Sequence, residues 1–104
     1  MKARPVWYVI FMVIGCLRVR LNIYATHSLK EKRSVIKSLI HRLRANHNCA
    51  VAETGLQDVW QSAEISIVTV YAEKSHVESL LRRLLQEIDN NTDFEIAAEE
   101  IEFL

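Results

Sequence analysis

A chain of 104 residues, half of them hydrophobic and a quarter charged, has the composition of one folded domain, which excludes a disordered or low-complexity protein. Its formal net charge of zero hides a division: residues 1–52 carry ten Lys and Arg and one acid, a balance of +9, whereas residues 53–104 carry three and twelve, a balance of −9. Two Gly and one Pro exclude a flexible interdomain linker.

The chain is predicted to consist of an extension, residues 1–11, and a single domain, residues 12–104. Residues 5–17 form an apolar run that is too short to span a bilayer, because a transmembrane helix needs about 20 residues. A signal peptide or lipoprotein cleavage box ending at Cys16 is the alternative. We disfavour it because apolar residues keep alternating past Cys16, so that cleavage would cut a strand. A start codon assigned too early also accounts for the extension.

The first two predicted elements are a strand and an amphipathic helix. Apolar residues alternate over residues 13–25, which predicts a half-buried strand. Ser28, with Glu31 three residues later, has the pattern of a helix N-cap. Helical spacing then continues to about Asn46. The predicted core stripe is Leu29, Val35, Ile36, Leu39, Ile40 and Leu43, and the opposite stripe is Lys30, Arg33, Lys37, His41 and Arg44.

The second half alternates strand, loop, strand, helix and strand. The predicted strands are residues 49–54, 63–72 and 93–103. A loop is predicted at 55–62 and a helix over 75–89. Ser75 is the predicted cap of the second helix. Apolar residues on both faces of the third strand predict that its second face is partly covered. The apolar phase slips along the last strand, which predicts a bulge near residues 98–100.

The element order predicts an α+β fold, the ferredoxin-like βαββαβ sandwich. It has a four-stranded antiparallel sheet with the first and third strands central and both helices on one face. Cys16 and Cys49 would lie two strands apart, about 10 Å, because neighbouring strands are about 4.8 Å apart. That distance is beyond disulfide reach. Reduced thiols without metal-ligand spacing favour a cytoplasmic protein.

Several segments resemble the YlxP-like family of small bacterial proteins. They are Gly15 with Leu17 and Val19, residues 28–34 with 37–39, residues 51–53, the loop at 57–61 and the ending at 100–104. The resemblance covers residues 12–104 and implies a ferredoxin-like fold in a cytoplasmic protein, often encoded beside translation and ribosome-maturation factors. It implies no catalytic residues, and members usually begin near Met12.

The basic face of the first helix is the candidate RNA-binding surface. Its predicted contacts are Lys30, Lys32, Arg33, Lys37, Arg42 and Arg44. Lys30 and Lys32 oppose the helix macrodipole at the N-terminus, an arrangement that costs stability and invites a functional explanation. We therefore predict a non-enzymatic accessory factor of translation or ribosome maturation that binds RNA phosphates, with ribosomal RNA or a ribosomal subunit as partner. The alternative for this face is neutralisation by acids of the second helix.

A homodimeric interaction or small-ligand module that uses the open sheet face is the competing function. Tyr24 is the sole aromatic residue expected on that face, which argues against stacking of RNA bases there. Arg18 and Arg20 are expected to pair with Glu100 or Glu102 on the last strand.

The loop residues Asp58, Trp60 and Gln61 are a candidate partner-binding site. The favoured interpretation of Trp60 is nevertheless a plug at one end of the core. The sequence predicts no catalytic residues, metal or cofactor. The four His residues lack the spacing of a zinc-binding pair, and Gly15 and Gly55 are isolated, so that no glycine-rich phosphate-binding loop is present.

Overall fold

The computed structural model describes residues 12–24 and 27–104, so the predicted extension lies outside the described residues. Its elements are β1 (Val13–Ile23), α1 (Leu29–Asn46), β2 (Ala50–Gly55), β3 (Ser62–Tyr71), α2 (Lys74–Asp89) and β4 (Phe94–Phe103). The strands form one antiparallel sheet in the order β2-β3-β1-β4, which makes β1 and β3 central. The predicted ferredoxin-like α+β sandwich is confirmed.

The core lies between the two helices and one face of the sheet. Buried residues alternate along the central strands, and the helices add one apolar stripe each: Leu17, Val19, Leu21, Ile65, Ile67, Ile36, Leu39, Leu43, Leu80, Leu84 and Ile88 belong to this core. At Gly15 the sheet and α2 approach closely, because a Cβ there would collide with Val77 Cγ1. The small residue therefore sets how tightly α2 packs on β1.

In the part of the chain that the structure describes, no helix lies on the other face of the sheet. Val68 and Val70 project from β3 on this side and are 40% and 43% exposed. The prediction that the second face of β3 is partly covered is therefore wrong. Both crossover helices lie on the same face, so apolar residues on the other face have nothing from this chain's described residues above them.

The two helices begin differently. Ser28 caps α1 as predicted, because its Oγ accepts a hydrogen bond from Glu31 N at 3.2 Å. Glu31 in turn accepts from His27 N at 2.7 Å. Ser75 does not cap α2. The helix already begins at Lys74, and the extended residue before it, Glu73, makes no side-chain cap bond.

The predicted irregularity of β4 is present one residue earlier than expected. The register with β1 shifts where Arg20 pairs with Ala98 and Leu21 pairs with Ile96, which leaves Ala97 without a partner on β1. The shift returns Ile101 and Phe103 to the helix side of the sheet, although both stay exposed on this edge strand.

Candidate nucleic-acid interface

The outer face of α1 presents a row of cations, here called the basic stripe: Lys30, Arg33, Lys37 and Arg44, with His41 among them. All five residues are exposed. They recur at spacings of three and four residues, which places them on one side of the helix. From the first to the last, the stripe spans about 21 Å at a rise of 1.5 Å per residue.

No carboxylate of the described second half forms an ion pair with Lys30, Arg33 or Lys37, and Glu53 lines a shallow cleft beside Arg33 and Lys37. Within residues 12–24 and 27–104, no carboxylate oxygen lies within 4.0 Å of a side-chain nitrogen of Lys30, Arg33 or Lys37. Arg44 donates from Nη2 to Val51 O at 2.7 Å, a neutral acceptor. The stripe therefore keeps its positive charge, and the acids of α2 do not cover it.

Arg42, which was predicted to belong to the same surface, is exposed but lies elsewhere on the helix. At about 100° per residue it is about 140° around the axis from Lys37. A ligand lying along the basic stripe would not meet Arg42 directly.

Lys32 is not a surface residue at all. Its side chain is 0% exposed, and its Nζ donates to Leu56 O at 2.6 Å and to Gln57 O at 3.4 Å. The prediction that Lys32 contacts RNA is wrong. The sequence carried a signal for this outcome, because Lys32 precedes Ile36 by four residues and therefore lies in line with the buried stripe of α1.

Lys32 instead holds the β2–β3 connection against α1. Its Nζ lies 3.0 Å from Glu53 Oε2, a close charge contact in which the oxygen does not reach hydrogen-bond geometry. The ammonium thus meets a carboxylate and two backbone carbonyls while out of contact with water. It fixes the chain at Leu56, which has a positive φ of 59°.

The loop that follows exposes the predicted partner-binding residues. Asp58 and Gln61 are exposed, and Trp60 keeps 39% of its surface accessible. Trp60 is not among the buried core residues, so the interpretation as a core plug is wrong. A partner-binding role for Asp58, Trp60 and Gln61 stays a prediction.

On the open sheet face, two arginines have loose carboxylate partners. Arg18 Nη2 lies 3.9 Å from Glu100 Oε1, the predicted pairing with the last strand. Arg20 Nη2 lies 4.0 Å from Glu64 Oε1 on β3, so its predicted pairing with β4 is wrong. The register explains the difference, because Ala98 and not an acid stands opposite Arg20 on β4.

Tyr24 and Glu95 interact at the end of the same face. The hydrogen bond from the Tyr24 hydroxyl raises the pKa of Tyr24 and lowers the pKa of Glu95. Asn22 Nδ2 also donates to Glu95 Oε1, at 3.4 Å, and lowers the carboxyl pKa further. Glu95 therefore forms its hydrogen bonds with residues of the sheet and not with the basic stripe.

The two cysteines are free thiols on opposite sides of the sheet. Cys16 pairs with Val68 on the open face, and Val68 pairs with Ala50, so β1, which carries Cys16, and β2, which begins just after Cys49, are two places apart in the sheet. Cys49 is on the helix side, with its Sγ 3.5 Å from Leu43 O. Burial raises the pKa of the Cys49 thiol.

The histidines take part in separate local contacts. His47 Nε2 lies 2.6 Å from Glu87 Oε2 and links the ends of the two helices. His76 contacts the Tyr71 ring edge-on and lies 3.8 Å from Glu73. Over the described ranges, no three His, Cys, Asp or Glu side chains are grouped so that they could hold a metal ion. None of the described helices has the length and apolarity needed to cross a membrane.

Comparison with known proteins assigns the chain to a family. Residues 14–101 match the family described as Protein of unknown function (DUF503). The chain belongs to the DUF503 family. The uncharacterized protein YlxP of Bacillus subtilis is 35% identical over 83 residues, which cover 80% of this chain and 90% of that protein. The predicted YlxP-like membership is confirmed.

Solved structures support the fold of this DUF503 protein. A structural-genomics structure of protein YJCS has a TM-score of 0.53 and 12% identity, over 86% of this chain and 96% of that one. A dimeric ferredoxin-like protein of unknown function from Thermobifida fusca has a TM-score of 0.50 and 12% identity, over 89% of this chain and 90% of that one. At these identities the likeness extends to the fold alone.

Proposed function

We propose that this DUF503 protein is a non-enzymatic accessory factor of translation or ribosome maturation that binds RNA phosphates through the basic stripe. The observation that carries the proposal is the absence of carboxylates within 4.0 Å of Lys30, Arg33 and Lys37 in the described part of the chain. Cations without internal partners are available to a polyanion, and phosphate contacts supply most sequence-independent affinity.

The distribution of charge over the fold supports an oriented encounter. The stripe lies on α1, which packs over β2 at one edge of the sheet. The opposite edge is β4, which carries Glu95, Glu99, Glu100 and Glu102. A polyanion is attracted to the α1 side and repelled by the β4 side, so the field selects one orientation although the net charge is zero.

The stripe is suited to positioning the protein on RNA rather than to base recognition. A row of Lys and Arg about 21 Å long, at 1.5 Å per residue, can follow several consecutive phosphates. The resemblance to a family often encoded beside translation factors supports ribosomal RNA or a ribosomal subunit as the target.

Co-sedimentation with 30S and 50S particles, together with filter binding to structured ribosomal RNA at low ionic strength, tests the proposal. The decisive variant is Arg33→Glu with Lys37→Glu, and the matched control is Arg82→Glu with Arg83→Glu on α2, where both arginines are exposed. Both variants change the net charge by −4. We expect the stripe variant to lose at least tenfold in affinity and the α2 variant to lose less than threefold. Equal losses, or no binding by the natural protein, would contradict the proposal.

A homodimer through the open sheet face is the second candidate, in place of RNA binding. Val68, Val70 and Tyr24 are exposed there. Arg18 and Arg20 lie beside carboxylates at 3.9 and 4.0 Å, loose enough to exchange partners with a second copy. An uncovered apolar patch with charges of both signs is typical of an interaction surface.

The two thiols test the homodimer with a probe and a control in the same molecule, because Cys16 lies on the open face and Cys49 on the helix side. Dimerisation through the open face would slow alkylation of Cys16 as protein concentration rises, and leave Cys49 on the helix side unchanged. The variant Val68→Lys should abolish that protection, and light scattering should report a monomer for it. Protection at neither thiol, with a monomeric mass for the natural protein, would exclude the dimer.

A further inference from the structure

The two edges of the sheet differ in how their outward backbone groups are satisfied. The backbone N–H and C=O groups of Val51 and Glu53 on β2 point away from β3. This follows from the pairing register, because the backbone groups of successive residues in an antiparallel strand point alternately toward and away from the neighbouring strand. Arg44 Nη2 donates to Val51 O at 2.7 Å, and Gln57 Nε2 donates to Glu53 O at 3.1 Å. The carbonyls on the outer side of β2 are therefore capped by side chains.

Over residues 12–24 and 27–104, the outer side of β4 has no such caps. Leu104 N donates to Ile14 O at 3.0 Å, so the backbone groups of Leu104 point toward β1. Because these directions alternate along an antiparallel strand, the backbone N–H and C=O groups of Glu99, Ile101 and Phe103 point away from the sheet. Among the described residues, no side chain forms a hydrogen bond with the backbone of these three. An extended chain could pair with this edge without displacing any of the described groups.

Two clefts lie on the helix side of that same edge. One, of about 530 Å³, combines the apolar side chains of Leu85 and Ile96 with the carboxylates of Asp89 and Glu99. The other, of about 120 Å³, lies between β4 and α2. Leu81, Ile101 and Phe103 make it mainly apolar, and Glu78 and Arg82 also line it. The first cleft suits a long side chain with an apolar stem and a cationic end, and the second suits a small apolar side chain.

We propose that β4 binds an extended, Lys- and Arg-rich segment of a partner protein as a fifth strand of the sheet. Strand addition gains affinity from main-chain hydrogen bonds and specificity from pockets that take alternate side chains. Because the clefts are about four strand residues apart, roughly 14 Å, the segment carries a basic and an apolar residue at positions i and i+4.

Charge selects this partner over a second copy of the chain. Beyond the bulge, β4 carries Glu99, Glu100 and Glu102, and the first cleft adds Asp89. The cations beside this edge, Lys74 over the Phe103 ring and Arg82 in the second cleft, are at its far end, so the acidic part of the edge is at the first cleft. Two such strands side by side would place like charges opposite each other, which is destabilising, whereas a basic strand would be attracted. This site is at the opposite edge from the basic stripe and does not depend on RNA binding.

Amide hydrogen exchange, followed by NMR, tests the proposal with an internal control. The probe is a capped nine-residue threonine peptide with Arg and Val four positions apart and a second Arg. Saturation should slow exchange at least tenfold at the outward amides of Glu99, Ile101 and Phe103, and leave the inward amides of Glu100 and Glu102 unchanged. A peptide with Glu in place of both Arg residues should give no protection.

Two pairs of variants separate the backbone and charge contributions. Ile101→Pro removes an outward donor and should abolish peptide binding, whereas Ile101→Thr keeps the donor, changes only the lining of the second cleft, and should weaken binding by much less than the proline variant. Glu99→Arg, in the cleft, should weaken binding at least tenfold, and Glu102→Arg, which makes the same change of charge on the open face, should weaken it by a smaller factor. Unchanged outward amides, equal binding of the Glu peptide, or protection that rises with protein concentration alone would overturn the proposal, the last in favour of a second copy.

Discussion

Lysine occurs on both the inner and the outer face of α1, in opposite environments. Lys32 lies on the inner face, out of contact with water, and its ammonium meets Glu53 and two backbone carbonyls. Lys30 and Lys37 lie on the outer face and have no carboxylate within 4.0 Å among the described residues. The comparison shows that the charge of a helical residue does not reveal its role, whereas its position relative to the apolar stripe does.

The acids of the second half explain why the outer face stays unneutralised. Each of several carboxylates already has a local partner: Glu53 with Lys32, Glu64 with Arg20, Glu87 with His47, Glu95 with Tyr24 and Glu100 with Arg18. Three of these partners, Arg18, Arg20 and Lys32, are cations of the first half, so the charge division along the sequence is offset on the sheet and at the β2–β3 connection, and it persists in space only along the basic stripe. The favourable consequence for the proposed function is a cationic surface on which Lys30, Arg33 and Lys37 form no ion pair with any described carboxylate.

Replacing Lys32 should have the largest effect on stability. The variant Lys32→Ala leaves the Glu53 carboxylate and the Leu56 carbonyl without their cationic partner in a buried site, so the free energy of unfolding should fall by about 3 kcal/mol. Urea denaturation followed by circular dichroism measures the change.

Lys30→Ala on the outer face is the matched control and should change the unfolding free energy by less than about 0.5 kcal/mol. If both lysine variants proved equally stable, Lys32 would not be the structural residue that its surroundings indicate.

Loss of the α1 cap should have an intermediate effect. Ser28→Ala removes the acceptor for Glu31 N and should lower the free energy of unfolding by about 1 kcal/mol, the usual value of an N-cap. Ser75→Ala on α2 is the control, because Ser75 lies inside the helix and makes no cap bond. The same denaturation experiment gives both values, and a larger loss for Ser75→Ala would contradict the assigned helix starts.

The smallest effect is expected at Glu95. Its pKa is lowered from 4.5 by the Tyr24 hydroxyl and Asn22, so this interaction contributes stability above the unfolded-state pKa and loses it as the pH falls through the folded-state value. In Tyr24→Phe the carboxyl pKa should rise toward 4.5, as measured by NMR titration of the side-chain carbon. An unchanged pKa would show that Glu95 is not engaged by Tyr24.

Local sequence signals predicted most of the fold. The apolar periods identified all six elements, and Ser28 with Glu31 identified the start of α1, because these patterns depend on residues three to four apart. The spacing of Lys32 to Ile36 indicates that its side chain lies on the buried side of α1, but the groups that stabilise its ammonium there are 24 and 25 residues away along the chain, beyond the reach of a local pattern. Arg20 was assigned to the wrong neighbour for a similar reason, since the bulge at Ala97 decides which residue stands opposite it.

The most direct test of the RNA-binding surface is the salt dependence of RNA affinity, measured by filter binding for the natural protein and for Lys37→Gln. Four stripe cations on four phosphates predict a slope of about −3 for log K against log salt, and removal of one should reduce its magnitude by roughly 0.7 to 0.9. A slope near zero, or one that Lys37→Gln leaves unchanged, would contradict phosphate binding by the outer face of α1.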